Sequence, residues 1–294
     1  MRIVVASGKG GTGKTTIATS LALVAAEQEA VRLLDCDVEA SNAALFLHPE
    51  FNQRKEVGIL LPVVDEMLCT HCGRCAEVCQ FHAIAVIGKK TLIFPELCHG
   101  CGSCRLNCPE KAIHEQLDGM GVLESGLTSS GIAFAQGVMN VGEPMAVPII
   151  RELKKWQSDA NPAAAHLQLE QFQLEIRDAP PGASCPVVET LHGADFAILV
   201  TEPTPFGLHD LKQVVKICRE LGIPAGVILN RDGIGDDAVE KYCAENELPI
   251  LMRIPMERRF AEAIASGKTL VEAAPEFRAS FRALLETIAT RVTA

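Results

Sequence analysis

Short apolar runs alternate with longer amphipathic stretches along this chain, and the alternation predicts strands and helices in turn. Ile3-Val4-Val5-Ala6 predicts a strand over Arg2–Ala6, and the stretch beyond it predicts a helix over Lys14–Gln28. A strand at Val31–Asp35 and a helical piece at Ser41–Leu47 follow, then a polar link, His48–Lys55. Past Gly119 the pattern predicts a strand at Val138–Val141, a helix at Met145–Trp156 and a polar linker at Gln157–Gln168. Strands at Phe172–Asp178, Phe196–Thr201, Ala225–Leu229 and Ile250–Ile254 then alternate with helices at Ala183–Leu191, Phe206–Leu221, Asp236–Asn246 and Arg258–Ser266. Strand–helix alternation of this kind predicts an α/β fold with a doubly wound parallel sheet.

Two segments qualify the pattern. Phe172–Arg177 alternates apolar and polar residues, whereas a central parallel strand is apolar on both faces, so Glu175 and Arg177 are expected to pair or to lie on a lightly covered face. The last predicted helix, Glu276–Val292, gathers Phe277, Phe281, Leu284, Leu285 and Ile288 on one face with few basic residues opposite, which favours packing on the domain over docking at a membrane.

Between the first predicted strand and helix stands Gly8-Lys9-Gly10-Gly11-Thr12-Gly13-Lys14-Thr15, a match to the phosphate-loop pattern G-x-x-x-x-G-K-[ST] in its strand–loop–helix setting. Glycines let the backbone curl so that its N–H groups point at one phosphate chain, and the helix N-terminus adds partial positive charge. Gly8, Gly10, Gly11, Thr12, Gly13, Lys14, Thr15 and Thr16 are the candidate ATP/ADP contacts, with Lys14 at the β/γ-phosphates and Thr15 as a Mg²⁺ ligand.

Eight of the twelve cysteines fall in two runs, Cys69-x2-Cys72-x2-Cys75-x3-Cys79 and Cys98-x2-Cys101-x2-Cys104-x3-Cys108. Each has bacterial ferredoxin spacing, and two copies imply two [4Fe–4S] clusters. In that arrangement the fourth cysteine of each run serves the other cluster. Cys69, Cys72, Cys75 and Cys108 are then the ligands of cluster one, and Cys98, Cys101, Cys104 and Cys79 those of cluster two. The first run ends Cys79-Gln80, where the second ends Cys108-Pro109, which loses a turn constraint and no ligand. Repeated C-x-x-C pairs also bind zinc, so Zn²⁺ stays open as an adventitious substitute. Cys69–Ile84 echoes Cys98–Ile113, an internal repeat of about 29 residues, and each copy ends in an apolar piece, Ala83–Ile87 and Ala112–Glu115. The expected domains are an ATPase over 1–61 and 117–294 and an inserted ferredoxin-like α+β domain over 62–116.

Lys9, Asp35-Cys36-Asp37, Asp178-Ala179-Pro180-Pro181-Gly182 and Leu229-Asn230-Arg231 together make the chain resemble the MinD/ParA/nitrogenase-iron-protein superfamily of deviant Walker A ATPases. The whole chain resembles those members that contain an inserted dicluster ferredoxin domain. The resemblance implies an ATP-dependent homodimer in which Lys9 crosses to the partner's nucleotide. It implies that Asp37 orients or deprotonates the attacking water, that Asp35 supports the metal or Lys9, and that Asp178 holds Mg²⁺ through water. Asn230 lies where relatives recognise adenine, with Arg231 beside the base. Cys185 stands at the offset from Asp178 at which the nitrogenase iron protein has a cluster ligand. It is read either as a redox or metal-contacting thiol or as a small buried residue.

Composition narrows the function. The net charge of −10 and the lack of a basic block exclude a nucleic-acid-binding surface. No apolar stretch is long enough to span a bilayer, so no stable membrane insertion is expected. Disulfides would need an oxidising compartment, and with no secretory signal at Met1-Arg2-Ile3 a reducing cytoplasm is expected. The expected activity is ATP hydrolysis, with dimer closure coupled to electron transfer towards a redox protein, an iron–sulfur acceptor or a paralogous ATPase. The alternatives are an iron–sulfur assembly or carrier ATPase similar to the Mrp/Nbp35 group, and a MinD-like positioning ATPase with structural or sensing clusters. Cobyrinic acid amidation would need a glutaminase unit for which the chain has no room.

Overall fold

The computed structural model describes residues 1–156 and 172–293. The first half runs β1 (Arg2–Ala6), α1 (Lys14–Ala25), β2 (Val31–Asp35), α2 (Ala44–Leu47), β3 (Glu50–Val64), α3 (Arg74–Glu77), β4 (Ile84–Ile87), β5 (Lys90–Ile93), α4 (Ser103–Leu106), β6 (Ile113–Leu127), β7 (Ala133–Met139) and α5 (Val147–Lys155). The second half runs β8 (Leu174–Asp178), α6 (Cys185–Leu191), β9 (Phe196–Thr201), α7 (Pro205–Glu220), β10 (Ala225–Asp232), α8 (Ala238–Glu245), β11 (Ile250–Pro255), α9 (Arg258–Ala265), α10 (Leu270–Ala273) and α11 (Phe277–Thr293). The expected linker at Gln157–Gln168 lies outside the described residues.

Among the described residues, nine strands form one sheet in the order β11-β10-β9-β1-β8-β2-β7-β6-β3. From β11 to β7 the neighbours are parallel; β6 and β3 close that edge antiparallel. The sheet is therefore mixed, not wholly parallel as expected. Helices cover both faces of the parallel part. Side chains alternate across a strand, so Ile3 and Val5 enter one core with α1, α10 and α11, while Val4 and Ala6 enter another with α6, α7 and α8. A third core joins α5 to β2, β6 and β7 through Leu34, Leu123, Ala135 and Ile149.

The charged alternation of β8 has a specific outcome. Leu174 and Ile176 enter the first core. On the other face Arg177 pairs with Glu175 at 2.7 Å, Glu175 faces Arg32 at 3.4 Å, and Arg177 donates to the carbonyls of Thr190 and His192. Burial without these partners would cost several kcal/mol per ion, on the order of a domain's whole stability margin.

Three segments depart from the sequence pattern. The strand expected at Val138–Val141 is β7, which starts earlier and ends at Met139, because Gln136 and Gly137 interrupt its apolar signal. The polar link expected at His48–Lys55 is the first half of β3, whose edge position leaves its polar side chains in solvent. Helix α10 was not expected; a capping box between Thr269 and Glu272 starts it. In α11, Phe281, Leu284 and Ile288 are buried in the first core. Among the described residues no helix is long and apolar enough to cross a membrane.

The 15-residue strands β3 and β6 pair along their whole length and run out past the main sheet. The expected insert limits, 62 and 116, fall inside this ladder. At its far end it carries the hairpin β4–β5, helices α3 and α4 and both cysteine runs, a unit called the cysteine lobe below. A bulge interrupts the ladder where Val57 faces Gly121 but Gly58 faces Gly119, which leaves Met120 as the extra residue.

Candidate nucleotide site and cysteine cavities

The loop between β1 and α1 turns back on itself through Gly11 and Gly13, at φ 75° and 95°. Gly13 has a second constraint: a Cβ there would sit 2.5 Å from Nδ2 of Asn230. That amide donates to the carbonyl of Thr12 at 2.7 Å, and its oxygen accepts from the Arg231 N–H at 2.9 Å. The Arg231 guanidinium donates to the Gly11 carbonyl at 3.1 Å. The end of β10 thus braces the loop directly. Asn230 and Arg231, the residues expected at adenine, both line the cleft over this loop as well as bracing it.

An open cleft of about 1220 Å³ of empty space, counted out to solvent, lies over the loop. Gly10, Gly11, Gly13, Lys14, Thr15 and Thr16 form its floor, and Asn42 and Phe46 stand on one wall. Met256, Phe260 and Ile264, from β11's end and α9, form an apolar wall that the sequence reading missed. The Lys14 side chain is buried. The hydroxyl of Thr12 is buried with no hydrogen-bond partner among the described residues.

The three candidate aspartates have different surroundings. Asp178 is fully buried at the end of β8; Oδ2 accepts from the Thr15 hydroxyl at 2.6 Å, and Oδ1 has no partner among the described residues. Burial, with the nearby Asp35 charge, pushes its carboxyl well above the usual range. Asp37 lines the cleft half-buried, raised by burial and held back by Lys14. Asp35 is fully buried at the end of β2. It contacts neither Lys9 nor the cleft, and its two oxygens accept the backbone N–H groups of Asp37, Asn42 and Ala43 at 2.9–3.1 Å. It shapes the loop after β2 from inside, and burial pushes its pKa up to about 7 against those bonds.

Lys9 pairs with Glu202 at the end of β9, at 2.8 Å. Neither Glu202 nor Asp210, whose carbonyl would lie 2.3 Å from a Cβ at Gly8, was singled out from the sequence. The available signal was position, since ligands of open α/β sheets collect at the carboxyl ends of the strands.

In the cysteine lobe the eight thiols line two cavities. Cys69, Cys72, Cys75 and Cys108 line one of about 340 Å³ of empty space, beside Val64 and Ile113. Cys79, Cys98, Cys101 and Cys104 line one of about 370 Å³, beside Leu60 and Pro62 and so nearer the main sheet. The internal repeat is visible atom for atom. Ala83 N–H donates to Cys79 Sγ and Ala112 N–H to Cys108 Sγ, both at 3.3 Å. Positive φ recurs at His71 and Gly100, at Gly73 and Gly102, and at His82 and Lys111. Among the described residues no three His, Cys, Asp or Glu side chains converge as ligands of a single metal ion. Cys185 is exposed at the start of α6 and lines neither cavity; Cys36, Cys218 and Cys243 are buried.

Comparison with known proteins fits the loop and sheet. The CobQ/CobB/MinD/ParA nucleotide binding domain matches residues 3–271. The uncharacterized protein MJ0579 of Methanocaldococcus jannaschii is 30% identical over 273 residues, 92% of each chain. MJ0578 of the same organism is 29% identical over 80% of each. The solved structure of the septum site-determining protein MinD of Pyrococcus horikoshii, complexed with Mg-ADP, has a TM-score of 0.56 at 19% identity, over 98% of this chain and 95% of that one. At that identity the likeness is one of fold. Phosphate loop, sheet order and family match agree: the chain belongs to the CobQ/CobB/MinD/ParA family of nucleotide-binding domains and is a P-loop ATPase able to bind and hydrolyse ATP.

Proposed function

We propose that this ATPase holds two [4Fe–4S] clusters in its cysteine lobe and uses ATP-dependent closure of a homodimer to govern electron transfer through them. The observation that carries the reading is the crossed division of eight thiols, four to each of two cavities, with the last cysteine of each run lent to the other. A single zinc ion would hold its thiolates at about 2.3 Å. A four-iron cube is the larger body and suits thiols spread around a cavity. When bound, such clusters supply one-electron uptake and release. The lobe's own contribution is to fix the sulfurs and to donate backbone N–H groups to Cys79, Cys98 and Cys108, a contact that tunes cluster potentials.

At the nucleotide site the buried oxygen of Asp178 that lacks a partner fits a magnesium ion reached through water, with Thr15 as its direct ligand. Magnesium would neutralise charge on the β- and γ-phosphates. Lys14 and the loop amides hold the phosphates, the unpaired Thr12 hydroxyl adds a donor, and Asp37 orients the attacking water or takes its proton. Lys9 completes the site of a second copy. The partner in electron transfer is a redox protein or iron–sulfur acceptor. Two relatives in one organism make a paralogous ATPase one such candidate.

Anaerobically prepared protein tests this. It should contain about eight irons per chain, be brown and bleach with dithionite, and show different midpoint potentials in the ADP- and ATP-bound states. Zinc in place of iron, or identical potentials in both states, overturns the reading. A MinD-like positioning ATPase is the second reading, favoured by the fold likeness to a septum site-determining protein. It requires ATP-dependent binding to a partner that survives removal of iron. Iron passed to an apo-protein on ATP addition would instead point to cluster assembly.

A further inference from the structure

At the end of β9 the carboxylate of Glu202 holds two cations. Oε2 accepts from Lys9 Nζ at 2.8 Å, and Oε1 accepts from Arg231 Nη1 at 2.6 Å. The Glu202 side chain is 5% exposed, so its charge depends on these partners. The two cations are not equivalent. Arg231 is also bonded to the Gly11 carbonyl, and its backbone sits at φ 55°, a conformation that persists only where the surroundings hold it. Lys9 lies on a loop, a third exposed, and Glu202 is its one ion-pair partner among the described residues. If Lys9 leaves, Arg231 still neutralises the buried carboxylate, so Lys9 is the member that can be released.

We propose that Glu202 is a positioning residue for ATP turnover. It keeps Lys9 folded back on its own loop until a second copy presents a nucleotide whose phosphates draw the lysine away. Arg231 stays behind as the permanent counter-ion and brace of the loop. Closure between copies is thereby conditional on the phosphate charge that outcompetes one carboxylate. This rests on the reading that Lys9 serves the nucleotide of a second copy.

The test is specific ATPase activity against protein concentration, at saturating ATP so that nucleotide affinity drops out. Glu202→Gln removes the competing charge. The concentration giving half-maximal activity should fall roughly three- to tenfold, with a smaller change in the plateau. Glu202→Asp keeps the charge but shortens the reach. It should shift the midpoint in the same direction by less, and it carries the test if the Gln variant does not fold. Lys9→Ala should lose the concentration dependence, and Lys9→Ala/Glu202→Gln should behave like Lys9→Ala alone. An unchanged or raised midpoint in the Glu202 variants, or a shift that persists without Lys9, overturns the proposal while leaving the second-copy reading intact. Wild-type concentration dependence in Lys9→Ala overturns that reading and the proposal with it.

Discussion

Thr15 and Asp178 meet across the first turn of α1 and the end of β8, the Thr15 hydroxyl donating to one Asp178 oxygen at 2.6 Å while the other oxygen is buried without a partner. A buried polar atom left without a bond costs about 1–3 kcal/mol, more when charged. The site is therefore held in a state that the nucleotide-free chain does not favour and that a metal-bound water would relieve.

Asp178→Asn should move stability and activity in opposite directions. Asparagine keeps an acceptor for Thr15 and removes the buried charge, so the nucleotide-free protein should gain about 1–2 kcal/mol, read as a higher Tm. Magnesium-dependent turnover should fall at least ~100-fold, the scale of losing one preorganised electrostatic group. A variant that loses both stability and turnover would show that the oxygen has a structural partner instead.

Two loop glycines separate by the space around them. A Cβ at Gly8 would meet the backbone of Asp210 at 2.3 Å, whereas at Gly10 the nearest atom, on Pro181, is 4.0 Å away. Gly8→Ala must push α7 away from the loop and should cost about 1–3 kcal/mol, the range for overpacking. Gly10→Ala should cost under ~0.5 kcal/mol in the nucleotide-free protein. Urea denaturation of the two variants checks the contrast.

Strands β1, β9 and β10 were legible because each carries a short, nearly continuous apolar run that helices on both faces require, whereas β8 alternates and β7 is interrupted by Gln136 and Gly137. The phosphate loop and the cysteine runs were legible because spacing alone encodes them. The antiparallel edge was not. β3 opens Glu50-Phe51-Asn52-Gln53-Arg54-Lys55, which reads as a link because an edge strand keeps its outer side chains in water. Tertiary position also decided the surroundings of Asp35, whose carboxylate accepts three backbone N–H groups that no sequence pattern announces. Glu202 carries no motif at all; only the topology brings the end of β9 beside Lys9.

The crossed cysteine pattern predicts an unusual location for damage. Cys79 belongs to the first run but lines the cavity of the second. On the proposed function, Cys79→Ala should therefore lose or alter the proposed cluster at Cys98, Cys101 and Cys104, and leave the one proposed at Cys69, Cys72 and Cys75. Cys108→Ala should do the reverse. Iron content near half the wild-type value, with different surviving electron paramagnetic resonance signals in the two variants, is the expected result. Identical surviving signals would rule out the crossing.

Glu189 ties α6 to α5, accepting from Arg151 and from Lys154 at 3.0 Å each. Burial pushes its carboxyl up, but the two cations outweigh burial and hold it below the ordinary 4.5. A lowered carboxylate pKa stabilises the fold above the unfolded value, and that stability is lost as pH falls through the folded value. Glu189→Gln should cost about 1 kcal/mol at pH 7, and the penalty should shrink once the wild-type carboxylate protonates, below about pH 4. Denaturant titrations at both pH values test it; an equal penalty at the two would mean that packing, not charge, holds the helices together.

The last prediction concerns the path from the nucleotide to the cysteine lobe. The Ser41 hydroxyl, in the loop shaped by Asp35, donates to the Gly137 carbonyl on β7 at 2.5 Å, and the Met139 N–H donates to the Val38 carbonyl at 2.9 Å. β7 pairs with β6, and Asn140 just beyond it reaches the bulge, its backbone N–H on Met120 O and its side chain on Gly119 O. From that bulge the ladder runs first to the cavity of Cys79, Cys98, Cys101 and Cys104 and only then to the other. Movement of the loop on nucleotide binding should therefore change amide exchange in 113–121, and the spectrum of the nearer proposed cluster more than that of the farther one. Ser41→Ala removes one half-buried donor, a loss of about 1 kcal/mol, and leaves every residue of the phosphate loop in place. It should retain nucleotide binding while the exchange difference between ADP- and ATP-bound protein shrinks at 113–121. An undiminished difference in that variant would mean that the signal travels by another route, or that the lobe does not follow the nucleotide at all.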